Sequence, residues 1–133
     1  IHMASDLTDT EAVKQANEMF YNAFGALDID KMDDACEISE RSLCVHPGWK
    51  PLIGWDQIRF SWQSIFENAS LMHFNIQYLN ISVVGDCGWV TCVENITSVL
   101  QGRANNFGVV ATNIFTRSGN VWKLVAHHAS PNM

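Results

Sequence analysis

The stretch Gly88-Trp89-Val90-Thr91-Cys92-Val93-Glu94-Asn95-Ile96 decides the architecture. Side chains along a strand alternate between the two faces of a sheet. One set here is Gly88, Val90, Cys92, Glu94 and Ile96; the other is Trp89, Thr91, Val93 and Asn95. Both sets are substantially apolar, whereas an antiparallel sheet usually solvates one face. The pattern continues downstream. Val109, Ala111, Asn113 and Phe115 oppose Val110, Thr112 and Ile114, and Trp122, Leu124, Ala126 and His128 oppose Lys123, Val125 and His127. The bulk of Trp122 and Leu124 assigns their set, His128 included, to the inner side and His127 to the outer. Glu94 and Asn113 then stand as polar residues on an apolar face, where they need partners or a wet cavity. The second apolar face needs a cover too, and a homodimer through the outer sheet face is the simplest one.

Around this stretch the chain reads as strands at 74–84, 89–100, 107–117 and 121–129. Gly85-Asp86 and Ser118-Gly119-Asn120 are turn signals, and a loop is expected at 101–106. Upstream the period changes. Thr8 and Glu11 form a capping-box pair, followed by Val13, Ala16, Phe20, Phe24 and Leu27 at helical spacing. A second, shorter helix starts at Asp30 and turns Met32, Ala35 and Cys36 inward. A short strand at 42–46 is followed by the breakers Pro47, Gly48 and Pro51. A third helix at 55–68 lines one face with Ile58, Trp62, Ile65 and Phe66. Three helices before a run of hairpin-linked strands predict an α+β fold, with the helices packed on one face of a curved, mostly antiparallel sheet.

The chain has 133 residues, 47% hydrophobic and 17% charged, which suits one domain with a real core. Ile1-His2-Met3 reads as a cloning remnant, so residues 1–5 are set apart as tag and disordered N-terminus and 6–133 as the single domain. The net charge is −6, and no basic patch or long apolar run is visible, so neither nucleic acid nor membrane is an expected partner. No basic-then-apolar leader opens the chain. Cys36, Cys44, Cys87 and Cys92 form no CxxC pair, which argues against a zinc ribbon and favours reduced thiols and a cytoplasmic location.

In order along the chain, several pieces resemble the SnoaL-like branch of the NTF2-like superfamily. They are Phe24-Gly25-Ala26-Leu27-Asp28, Cys44-Val45-His46-Pro47-Gly48-Trp49, Gly54-Trp55, Val84-Gly85-Asp86 with Trp89-Val90-Thr91, Gly119, Trp122-Lys123-Leu124-Val125, and His127-His128-Ala129-Ser130-Pro131. The ending is also similar to the calcium/calmodulin-dependent kinase association domain. The resemblance implies a cystatin-like cone, a bent sheet around three helices with a pocket at the open end, and dimers through the outer sheet face. Its members include ketosteroid isomerases, dehydratases and cyclases, non-catalytic binders and assembly domains, so the fold leaves the function open. Glu94 and Asn113 stand where the association domain carries pocket arginines, which reverses the charge of the pocket. No tyrosine–aspartate pair falls at the isomerase positions, although Tyr21 on the first helix is within reach of the pocket.

The candidate chemistry follows from residue types. Glu94 in an apolar cone gains a raised pKa by desolvation, which suits a general acid or base. His46, before Pro47-Gly48, and His128, on the last strand, are the candidate proton-transfer partners. Tyr21, Trp49, Trp55, Trp62, Cys92 and Asn113 are the candidate ligand-binding residues, the tryptophans as walls for a small hydrophobic molecule. A carboxylate beside Cys92 would raise its thiol pKa, so a nucleophile is not expected there. Neither a metal nor a cofactor is expected. The alternative to an isomerase, cyclase or dehydratase is a ligand-binding or homo-oligomeric assembly domain.

Overall fold

A computed structural model describes residues 7–132. The tag and disordered tail expected at 1–5 lie outside them. Helix α1 (Asp9–Ala26) opens on the expected cap, with Thr8 Oγ1 accepting from the Glu11 amide at 3.1 Å. It closes on Leu27 in the left-handed region, whose amide returns to Ala23 and Phe24. Asp28 then caps α2 (Ile29–Ala35) through the amides of Asp30 and Lys31. Strands β1 (Leu43–Val45) and β2 (Leu52–Ile53) flank the Pro-Gly turn, and α3 (Trp55–Glu67) follows. The long strands are β3 (Ala69–Val84), β4 (Cys87–Leu100), β5 (Arg103–Ser118) and β6 (Val121–Pro131).

The six strands form one sheet in the order β2-β1-β6-β5-β4-β3, with β1 parallel to β6 and the other neighbours antiparallel. The three helices pack on its concave face, giving the expected α+β, cystatin-like cone. Phe20, Phe24, Met32, Trp62, Val90, Ala111 and Phe115 sit at its centre. Gly88 sets how closely α1 meets the sheet. A Cβ there would lie 2.7 Å from Val13 Cγ2, so only glycine permits this approach.

Two expectations change. The loop expected at 101–106 is a two-residue hairpin, because Leu100 pairs with Arg103 and Gln101 and Gly102 both take positive φ. That backbone matches the twist of the flanking strands and lets them run to their ends. The second change bears on the site. Ile114 pairs with Ala126 but Phe115 pairs with Leu124, so Val125 is an extra residue in β6. This β-bulge reverses the alternation beyond it. Trp122 and Leu124 face inward as expected. After the bulge it is His127 and Ala129 that are buried, while His128 is exposed on the outer face.

Candidate functional site

The inner set of β4 delivers Gly88, Val90, Cys92, Glu94 and Ile96 to the interior, and β5 delivers Val109, Ala111, Asn113 and Phe115, all as the alternation predicts. Glu94 is 1% exposed and points into a cavity of about 320 Å³ at the open end of the cone. His46 and His127 are the other titratable groups on its wall, among Phe24, Trp49, Ile96 and Phe107.

Beneath the cavity, side chains from four elements form one polar network. Tyr21 of α1 donates its hydroxyl proton to Glu94 Oε2. Its oxygen receives Asn113 Nδ2 at 3.0 Å and lies 3.4 Å from Cys92 Sγ. Asn113 Nδ2 also donates to Asn17 Oδ1 at 2.9 Å. Asn113 Oδ1 is left facing His127 Nδ1 at 2.6 Å. The directions follow from the carboxylate. An ionised Glu94 only accepts, so Tyr21 must donate to it, and the Asn113 atom beside Tyr21 must be the amide nitrogen. Asn113 Oδ1 therefore accepts from His127 Nδ1–H, and the His127 lone pair sits on Nε2.

His46 is fixed by a separate bond. Ser61 Oγ donates to the Ile58 carbonyl at 2.6 Å, so it accepts from His46 Nε2–H at 2.9 Å. The turn that carries His46 is legible in the sequence. His46-Pro47-Gly48-Trp49 closes with Trp49 N–H donating to the His46 carbonyl at 2.9 Å, and Gly48 has φ +79°. Proline followed by a glycine at positive φ is the signature of a type II turn. It brings the Trp49 ring edge-on to His46, with centroids 4.7 Å apart.

Burial sets the ionisation. It raises the Glu94 carboxyl to about 7, against the lowering effect of the Tyr21 hydrogen bond. Burial lowers His46 to about 4 and His127 to about 3, so both imidazoles are neutral near pH 7. Burial, and then the Glu94 charge, push the Tyr21 hydroxyl far above its ordinary value, so it stays a donor. The site thus holds one carboxyl poised between its two forms, flanked by two neutral imidazoles with fixed tautomers.

The other candidates fall in different places. Trp49 is 49% exposed at the cavity mouth. Trp62 is core, its ring 4.7 Å from His46 and 6.0 Å from His127, and it supports both imidazoles from behind. Trp55 is buried at the start of α3 and is not part of the cavity wall. Cys92 and Asn113 lie beneath the cavity within the network. Burial raises the Cys92 thiol, against the lowering effect of the Tyr21 hydrogen bond. His128 is displaced from the site by the bulge. The structure also brings together Tyr21 and Glu94, a contact that the sequence did not reveal. Sequence reasoning also missed Asn17 and Ser61. Val13, Asn17 and Tyr21 repeat every four residues on α1, and an asparagine within that stripe was the available signal. Among the described residues no group of three His, Cys, Asp or Glu side chains is placed to hold a metal ion.

The comparisons with known proteins agree with the fold. The chain belongs to the SnoaL-like domain family, whose profile matches residues 13–133. It is similar to the crystal structure of a candidate dehydratase of the NTF2-like family from Streptomyces avermitilis, with 35% identity and a TM-score of 0.86 over 94% of this chain and 96% of that one. A candidate calcium/calmodulin-dependent protein kinase type II association domain from Thiobacillus denitrificans is 27% identical, with a TM-score of 0.80 over 90% of this chain and 94% of that one. Among curated proteins, the F-box protein SKIP8 of Arabidopsis thaliana is 23% identical over 91% of this chain, which spans only 50% of that relative's length.

Proposed function

We propose that this domain is an acid–base enzyme of the isomerase, cyclase or dehydratase type, acting on a small, largely hydrophobic molecule with Glu94 as the proton-transfer group. One observation carries the reading. Glu94 is a buried carboxyl on the cavity wall, held near neutral pKa, with one oxygen fixed by Tyr21. A pKa near the operating pH is what a general acid or base requires. The neutral imidazoles of His46 and His127 line the same wall, so a substrate bearing a hydroxyl finds polar partners there. His127 takes the role expected of His128. The likeness to a candidate dehydratase supports the same chemistry.

The test is a panel of small hydroxyketones followed by NMR in D2O for loss of water or exchange of α-protons. Catalysis by the wild-type protein that Glu94→Gln abolishes is the expected result. Equal rates in the two proteins would overturn it.

The homodimer is part of the same proposal. Trp89 and Val110 are exposed on the outer sheet face beside Val93 and Ile114. Sedimentation velocity should give a dimer that Trp89→Lys dissociates. Among the described residues no helix is long and apolar enough to cross a membrane. All four cysteines are free thiols, which fits a reducing, cytoplasmic setting.

A further inference from the structure

We propose that the molecule bound in the cone carries a neutral apolar tail, which leaves the Glu94 cavity past Trp49 and lies in the surface groove between α3 and the β1–β2 connection. This rests on the reading of the cone cavity as the substrate site. The groove has a volume of about 480 Å³ and is walled by Trp49, Leu52 and Phe60.

Three observations carry the proposal. First, Trp49 is a wall of both spaces. The partition between them is one hydrogen bond thick, because His46 faces the cavity, Ser61 faces the groove, and the two are bonded at 2.9 Å. Second, α3 carries two separate stripes. Ile58, Trp62 and Phe66 face the core, whereas Gln57, Phe60, Ser61 and Ser64 run at helical spacing along the groove floor. Phe60 is 72% exposed there, a large aromatic surface on the solvent side of a helix. Third, the cone cavity alone is small. Its volume, about 320 Å³, lies at the lower end of the ~300–1,000 Å³ range of ligand pockets. Anything larger has to continue outside.

The groove also states what kind of tail it takes. Its only charged side chain is Asp56, with Gln57 and the two serines as its other polar residues. That combination accepts hydrocarbon or aryl-alkyl groups and rejects an anionic chain. The continuity with the cavity across Trp49 is what favours a ligand tail over a second copy of the chain.

The experiment is a homologous series of 4-alkylphenols, methyl to octyl, titrated calorimetrically into the wild-type protein, Phe60→Asp and Glu94→Gln. The phenol hydroxyl probes the Glu94 end and the alkyl chain probes the groove. Wild-type affinity should keep rising beyond the butyl member by two- to fourfold per methylene, fourfold being full burial of one CH2. Phe60→Asp should leave the methyl and ethyl members within twofold of wild type and flatten the series beyond butyl. Glu94→Gln should weaken every member by a common factor and leave the slope unchanged. The proposal is overturned if wild type binds none of the series, if wild type is already flat beyond butyl, or if Phe60→Asp keeps the wild-type slope. A wild-type dimer that Phe60→Asp dissociates would assign the groove to a second copy and overturn it as well. A slope that survives while Glu94→Gln changes nothing would count against the role of Glu94 and leave the tail site standing.

Discussion

The two ends of the cone cavity are built on opposite principles. At the base, Glu94, Tyr21, Asn113, Asn17 and His127 come from α1, β4, β5 and β6, and each is bonded to another member of the set. At the mouth, Trp49 and Phe107 are half exposed, and Phe60 beside them is more so. A buried network holds its protons in one arrangement, which is what chemistry at a fixed point requires. An aromatic rim with free surface adapts to the shape that enters. On the proposed reading, reaction and recognition are divided along the cavity axis, with the His46-Pro47-Gly48-Trp49 turn joining them.

The largest expected effect breaks the polar end alone. Glu94→Gln keeps the shape and an acceptor for Tyr21 but removes the titrating proton, so turnover should fall by about 10²–10⁴, read as kcat/KM on whichever substrate the hydroxyketone panel identifies. The same substitution should stabilise the fold at neutral and higher pH. The carboxyl is raised from 4.5 to about 7, so the unfolded chain releases its proton first and stability falls as pH rises between those values. Above pH 7 the gap is worth about 3 kcal/mol, and below 4.5 it vanishes. Denaturant unfolding of both proteins at pH 4 and pH 8 measures it. His46 and His127 act in the opposite sense. Their folded values lie below 6.5, at about 4 and about 3, so their contribution is lost progressively as pH falls from 6.5 to those values. The two histidines outweigh the one carboxyl, so wild-type stability should rise with pH from about 4.5 to about 7 and change little just above that.

Asn113→Ala attacks the same end through its hub. It leaves His127 Nδ1–H and Asn17 Oδ1 without their partner, and should cost roughly 2–3 kcal/mol in chemical denaturation. Gly88→Ala is smaller. The added methyl pushes Val13 and with it α1, the helix that carries Asn17 and Tyr21, for about 1–2 kcal/mol. Phe60→Asp sharpens the contrast from the other side. Because the ring is exposed, thermal unfolding should place its effect on stability within about 0.5 kcal/mol, whatever it does to long-tailed ligands.

Much of this was legible without coordinates. The period-2 pattern of β4 and β5 fixed which face Cys92, Glu94 and Asn113 occupy, because neither strand carries a bulge across their mutual pairing. The pattern failed on β6 for a physical reason. Trp122 to Ala126 is apolar in both phases apart from Lys123, so nothing in the residues marks the extra Val125. One unpaired residue was enough to exchange His128 for His127. Trp55 and Trp62 show a different limit. Helical spacing says that a tryptophan faces inward, but not whether it meets a cavity or the neighbouring core.

The sequence by itself determined the N-cap of α1, the order of the helices and long strands, the Pro-Gly turn that presents His46, and the buried placing of a carboxylate. All of these depend on neighbours a few residues away. The tertiary structure alone decided that Tyr21 reaches Glu94 and that Asn113 joins Tyr21 to His127. It alone decided that Trp49 divides two cavities. Tyr21–Glu94 and Asn113–Tyr21 span 73 and 92 residues of sequence. Such contacts are set by the curvature of the sheet and the seat of α1 upon it, and no local period encodes either.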